Sequence, residues 1–220
     1  MENHLKNIWR RSLSKRLKIV DLKTADSSKL EALKLYLNSV SLLRESTWER
    51  LNLLFSESDL KKGEYFAIAG EFSKKVGFLS NGIIRAFYRN QQGFEYNKHF
   101  FIQDQMVGGY ASLVSKTVNQ INQQALCDCK LWIADYSSIT ALYNECPDLE
   151  RLSRRLAELY FVDKERREIE IVLLDADQRY LIFQQQYPGL EQMIPQYHVA
   201  AYLGISATQL SRIRKKLVYK

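Results

Sequence analysis

The chain has 220 residues, of which 46% are hydrophobic and 26% charged, and this balance excludes a wholly disordered or collagen-like protein. No stretch approaches the roughly 20 mostly apolar residues that a membrane-spanning helix needs, and no apolar signal core follows the basic N-terminus. We therefore expect a cytoplasmic protein with no membrane partner. Its three cysteines are an odd number and do not make a disulfide framework.

The net charge of +7 is concentrated at the two ends of the chain. Residues 1–20 hold six basic residues and one acid, and residues 192–220 hold five basic residues and no acid. Clustered positive charge is typical of nucleic-acid binders, although a solvated basic tail has the same composition. We interpret residues 1–27 as a basic extension, either an amphipathic helix or a loosely ordered tail.

The first regular segment is helical. Leucines at spacings of three and four predict helix over residues 28–54, with Ser28 capping a first helix and Ser46 or Thr47 capping a second.

From residue 61 the pattern changes to strands. Five glycines separate short runs rich in aromatic and β-branched residues, which is typical of a jelly roll. The predicted strands cover residues 65–69, 76–79, 83–88 and 96–101, with a hairpin loop at 89–93, and the strand pattern resumes at 122–133. In this last stretch Cys127 and Cys129 fall on one face, which favours buried core thiols.

A glycine-free segment over residues 147–173 predicts one helix of about 27 residues. Its apolar residues begin with leucines at heptad spacing, which favours packing against the same helix of a partner chain. The alternative is that the helix packs across the β domain of its own chain. The residues assigned to a dimer interface are Leu149, Leu152, Leu156, Leu159, Ile169 and Leu173.

The last part of the chain predicts three helices. Asp175 and Gln178 have capping-box spacing at the start of the first, which ends before residues 187–189. The other two have the form of a helix-turn-helix: Pro195 lies near the start of one, Gly204 ends it, and Ser206 caps the next.

The second helix of this pair is predicted to have two faces. Leu210, Ile213 and Leu217 face inward. The outward residues are Ala207, Thr208, Gln209, Ser211, Arg212 and Lys215, with Arg214, Lys215 and Lys216 placed to reach phosphates. Arginine suits guanine and glutamine suits adenine, so the face predicts binding to double-stranded DNA. A surface helical pair with a solvated basic face is the alternative.

The chain resembles the Crp/Fnr family of bacterial transcription regulators. Four stretches carry the resemblance, over residues 60–64, 77–85, 177–180 and 199–215. It implies an α+β protein with a cyclic-nucleotide-binding-like β-roll (28–146), a long dimerisation helix (147–174) and a winged-helix-like helix-turn-helix (175–220) whose wing is missing or vestigial.

The resemblance also implies a homodimer with DNA and, as a candidate, RNA polymerase as partners. It places Ser206, Gln209 and Arg212 where family members contact DNA, and Thr208 where many have glutamate, so the sequence read should differ.

The resemblance assigns the effector pocket to Gly109, Tyr110, Ala111 and Ser112. Members that bind cyclic nucleotides have a glutamate where Tyr110 stands and an arginine for the phosphate, yet no arginine occurs between residues 89 and 151. We therefore expect no binding of cyclic AMP, and either an unknown small-molecule effector or none.

The sequence contains no pattern typical of a cofactor site, a metal site or an enzyme active site. The three histidines are scattered, two cysteines cannot complete a tetrahedral metal site, and no catalytic triad is legible. We expect a non-enzymatic protein without a metal or cofactor. A ligand-binding or protein-interaction module whose helix-turn-helix no longer reads DNA is the alternative function.

Overall fold

The computed structural model describes residues 28–218, and this part contains nine helices and eight strands. The helices are α1 (Ser28–Val40), α2 (Glu45–Asn52), α3 (Tyr110–Ser115), α4 (Tyr136–Ala141), α5 (Pro147–Leu173), α6 (Ala176–Gln186), α7 (Leu190–Met193), α8 (Gln196–Leu203) and α9 (Ala207–Val218). The strands are β1 (Ser56–Leu60), β2 (Tyr65–Ala67), β3 (Lys75–Asn81), β4 (Ile84–Arg89), β5 (Glu95–Phe101), β6 (Gln105–Gly108), β7 (Asn122–Ala125) and β8 (Cys129–Asp135).

The expected basic extension, residues 1–27, lies outside the described residues, as does the chain after α9 where a wing would follow. No helix within residues 28–218 is both long and apolar enough to cross a bilayer.

The strands form two four-stranded sheets in which every pair is antiparallel. One has the order β1-β8-β3-β6 and the other β2-β7-β4-β5. Buried aliphatic and aromatic side chains from both sheets form one cluster: Leu79, Ile84, Ala86, Phe101, Val107, Ala125, Cys129 and Leu131. This confirms the predicted α+β architecture with a β-roll.

The strand predictions hold where alternation and turn residues coincide. The runs at 65–69, 76–79, 83–88 and 96–101 correspond to β2 to β5. β1 was missed because its sequence, SESDL, is polar and most of it remains exposed or half-buried. The stretch 122–133 is not one strand: β7 ends at Ala125 and β8 begins at Cys129.

Cys129 lies in the core, as the sequence indicated. Its Sγ contacts the Ile83 carbonyl, and burial raises the pKa of the thiol to about 12. Gly82, at φ 111°, packs so closely that a Cβ there would lie 2.5 Å from this sulfur. Cys127 is in the β7–β8 connection and is only partly buried.

The N-terminal helices pack on the beginning of α5. One buried cluster joins Leu33 and Trp48 from α1 and α2 to Leu149 and Leu152 of α5. α2 begins at Glu45, so the predicted caps Ser46 and Thr47 are wrong.

The groups at the start of α2 bond instead to Asp148, a residue remote in sequence. Its carboxylate accepts from the Arg44 amide at 2.8 Å and from the Thr47 hydroxyl at 3.0 Å. These bonds fix the start of α5 against α2.

A second cluster joins the C-terminal helices to the roll. Ile83 and Phe100 of the roll pack with residues of α6, α8 and α9, among them Phe183, Tyr202 and Leu210. The capping box at the start of α6 is present as predicted, with the Asp175 carboxylate 2.8 Å from the Gln178 amide.

Candidate nucleic-acid interface

α8 and α9 form the two helices of a helix-turn-helix. Gly204 ends α8 in the left-handed conformation, at φ 68°, and the Ile205 amide donates to the Ala200 carbonyl at 3.1 Å. Left-handed backbone after a helix favours glycine, because it carries no Cβ to clash. The Ser206 hydroxyl accepts from the Gln209 amide at 3.1 Å and so caps α9 as predicted.

The two faces of α9 separate as the leucine spacing predicts. Leu210 and Ile213 are buried against α8 and its neighbours, and Leu217 packs at the edge of the same cluster. The residues assigned to DNA contact are all exposed: Ser206, Thr208, Gln209, Arg212, Lys215 and Lys216. All six side chains are therefore accessible to solvent, although the Ser206 hydroxyl is already used as the helix cap.

The cations of α9 are not equally free. The Lys216 ammonium bonds to the Asp177 carboxylate of α6, and the Arg214 guanidinium lies 3.9 Å from Glu191. Arg212 and Lys215 make no ion pair with any residue that the structure describes. Lys216 was expected to lie near a phosphate, which stays a prediction, and a phosphate there would compete with Asp177 for the ammonium.

The dimer residues assigned from the sequence fall into two groups. Leu149 and Leu152 are only 2% and 1% exposed, because they pack on α1 and α2 of the same chain, and Leu156 packs at the edge of that cluster. The assignment of Leu149 and Leu152 is therefore corrected, because both belong to the core of the single chain, while Leu156 is partly buried beside them. Leu159, Ile169 and Leu173 do remain exposed.

A different seam runs along the C-terminal half of α5. Positions 159, 162, 166, 169 and 173 follow the alternating three-four spacing of a heptad repeat. Four of them carry large apolar side chains that are 45–67% exposed: Leu159, Val162, Ile169 and Leu173. Arg166, between them, is held by Asp163 at 3.0 Å.

No protein-family model matches the sequence, and no curated protein matches it. Solved structures do match its fold. FixK2 from Bradyrhizobium japonicum is 16% identical with a TM-score of 0.65, over 75% of this chain and 85% of that one. A Crp/Fnr-family putative transcriptional regulator from Eubacterium rectale is also 16% identical, with a TM-score of 0.65 over 80% and 84% of the two chains. The chain has the Crp/Fnr fold.

A third structure of the same fold is the c-di-GMP-responsive global regulator CLP from Xanthomonas campestris. It is 15% identical to this chain, with a TM-score of 0.64 over 80% of this chain and 92% of that one.

In this Crp/Fnr-type roll the assigned effector segment surrounds the start of α3. Tyr110 and Ala111 are exposed, and the Tyr110 ring packs edge-on against Tyr136. Ser112 is buried, accepts from the Ser73 amide at 3.0 Å and donates to the Thr117 carbonyl. Gly109 is packed so tightly that a Cβ would lie 2.3 Å from the Ser73 hydroxyl. Ser73 and its neighbours thus fill the space beside this segment.

Buried cations are scarce in the Crp/Fnr-type roll and the helices packed on it. Among residues 30–217, whose burial the structure describes, Arg85 is the one buried cation. Its guanidinium is already engaged by Glu95 and Gln124. A buried phosphate generally needs a positive partner.

Sequence reasoning missed how closely the roll contacts the helix-turn-helix. α8 packs directly on β5, and His198 of α8 is buried beside Arg85 and Asn97. Burial and the Arg85 charge lower the pKa of His198 to about 4, against which Glu95 has a smaller opposite effect. The signal in the sequence was a lone histidine in a helix whose other buried positions are apolar or aromatic.

Proposed function

We propose that this chain is a DNA-binding transcription regulator that acts as a homodimer and does not respond to cyclic AMP. The observation that carries the proposal is the two-faced α9. Its apolar residues are buried in the protein, while Gln209, Arg212 and Lys215 stand free on the opposite face. A recognition helix presents its N-terminal outward residues to base edges in the major groove.

Charge supports this function over a protein-interaction module. The outward face of α9 carries donors that suit guanine and adenine, and residues 192–220 contain no acid that would repel phosphate. The Crp/Fnr fold adds a fold-level analogy, since its solved examples include proteins described as regulators.

The exposed seam of α5 supports the homodimer. Four large apolar side chains at heptad spacing are costly to leave in water, and a second copy of the same helix presents a matching seam. A twofold dimer would place two α9 helices on half-sites about one helical turn apart.

The packing around residues 109–112 supports indifference to cyclic AMP. Gly109 has no space for a side chain and Tyr110 is about half exposed. Arg85, the one buried cation among residues 30–217, is bonded to Glu95.

The experiment is a binding-site selection from random duplex DNA, followed by titration of the selected site at two salt concentrations. We expect an inverted repeat whose affinity falls as salt rises, because phosphate contacts release counterions. Arg212→Ala should weaken binding about ten- to hundredfold per half-site and relax one base position. Lys62→Ala, which removes an exposed lysine from the roll, is the control.

Two results would contradict the proposal. The first is an Arg212→Ala protein that selects the same consensus with unchanged affinity, because α9 would then not read the bases. The second is a wild-type protein that binds no duplex at either salt concentration, which would favour the interaction module.

A further inference from the structure

A buried hydrogen bond joins α8, the first helix of the helix-turn-helix, to the roll. The side-chain amide of Asn97, on β5, donates to the His198 carbonyl of α8 at 2.8 Å. Asn97 is 0% exposed and His198 is 4% exposed, so water does not compete for this bond. It joins residues 101 positions apart in the chain.

A buried arginine extends the same contact. The Arg85 guanidinium lies 3.3 Å from Nδ1 of His198 and donates to Gln124 at 2.8 Å. Because a guanidinium has only donors, Nδ1 of His198 is the acceptor and its proton is on Nε2. Burial opposes ionisation of Glu95, but its bonds to Arg85 and Arg89 outweigh that effect and lower the pKa of Glu95, so its carboxylate offsets the charge of the buried Arg85.

The other end of α8 is held by an arginine of the long helix. Arg167 of α5 donates to the Tyr202 carbonyl and to the Tyr96 hydroxyl of β5, the latter at 3.1 Å. Its guanidinium also stacks 3.9 Å above the Tyr202 ring and pairs with buried Glu170. One side chain therefore joins α5, β5 and α8.

The space between these polar contacts is filled by aromatic rings. Phe100 of β5 packs against Phe183, Tyr187 and Tyr202, with ring centroids 5.6–6.2 Å apart. Rings packed in this way resist sliding, because any shift of α8 along β5 would open a cavity. α8 is thus fixed at both ends and along its length.

We propose that Asn97 and Arg85 are positioning residues for DNA binding. Both are buried and so are not placed to contact a base, but they hold α8 on β5, and α8 is followed directly by α9. This inference rests on the proposed function. In a dimer the position of each α8 sets the distance and angle between the two α9 helices, so these residues determine which half-site spacing the protein accepts.

The test compares operators that differ only in spacing. The half-sites obtained by selection with the wild-type protein are joined at the selected spacing, or with one base pair added or removed. Each base pair changes the separation by about 3.4 Å and the angle by about 35°. Affinities for the three duplexes and for a single half-site are measured for wild type, Asn97→Ala and the control Gln91→Ala, an exposed amide in the β4–β5 hairpin.

We expect Asn97→Ala to lose at least about tenfold of the wild-type preference for the selected spacing, with single half-site affinity unchanged within about twofold. A role in stability alone would lower the active fraction and reduce all four affinities equally, and this result would overturn the inference. So would an unchanged spacing preference. If the wild type selects no site at all, the proposed function fails instead.

A second variant tests the inference if Asn97→Ala does not fold. If circular dichroism shows that Asn97→Ala is unfolded, Arg85→Lys is measured in its place. This substitution keeps a positive charge beside Glu95 but removes the guanidinium that contacts Gln124 and His198. The same loss of spacing preference is expected, and an Arg85→Lys protein that is folded with wild-type preference would contradict the inference.

Discussion

Charged residues placed in the exposed seam of α5 should dissociate the proposed homodimer into monomers. Leu159 and Ile169 are 54% and 45% exposed in the protomer, so about half of each side chain is left for a partner to cover. Full burial of such a side chain is worth about 1.5–3 kcal/mol, and half of it about 1 kcal/mol. The double variant Leu159→Glu/Ile169→Glu removes four such contributions from a twofold dimer, about 4 kcal/mol in total.

That loss corresponds to a dimer dissociation constant raised about a thousandfold, and repulsion among the four new carboxylates adds to it. Sedimentation equilibrium over a range of protein concentrations measures the change. Val172→Glu is the matched control, because Val172 is 78% exposed on the same helix but about a quarter turn from the seam. If the double variant keeps the wild-type dissociation constant, or if Val172→Glu dissociates the dimer equally, the seam is misassigned.

A substitution in the first half of α5 should act differently. Leu152 is 1% exposed and packs on α1 and α2, so Leu152→Ala should lower the free energy of unfolding by about 2–5 kcal/mol. Because this leucine lies in the core of one protomer, the folded fraction should retain the wild-type dimer dissociation constant. A dimer weakened without loss of stability would contradict this assignment.

Three further predictions concern charge and ligand. Lys215→Ala should lower the salt slope of DNA binding by about one per protomer, and Lys216→Ala by less, because the Lys216 ammonium is already paired within the protein. The pKa of His198 is about 4, below the usual 6.5, with Arg85 and Glu95 facing it, so the unfolded state protonates first as the pH falls. The free energy of unfolding should therefore decrease from pH 6.5 to pH 4, at up to about 1.4 kcal/mol per pH unit. Calorimetry with millimolar cyclic AMP should show no heat of binding.

Each of these has its own control. The two lysine variants are each other's control, and equal salt slopes would show that the ion pair does not matter. For the histidine, denaturant unfolding of His198→Gln across the same range should lack this part of the pH dependence, since glutamine does not titrate; parallel curves for the two proteins would contradict the assignment. Saturable binding of cyclic AMP would require a cation for its phosphate other than Arg85.

Local sequence signals determined much of the fold. Residues 147–173 form one helix as predicted, because no glycine or internal proline interrupts it. The capping box of Asp175 and Gln178, the left-handed Gly204 and the Ser206 cap all act between residues close in sequence. Where apolar spacing and capping agree, as in α9, the sequence alone separates the buried face from the exposed one.

Only the tertiary structure decided which residues pack on an apolar side chain and which residues bond to a polar or charged one. Leu152 and Leu159 look equivalent in sequence, yet α1 and α2 cover the first and leave the second in water. Asp148 bonds to the start of α2, and Asn97 to His198, across about a hundred residues of chain. Helical periodicity shows that a face must be buried but not what buries it, because the partner is brought there by the folding of distant segments.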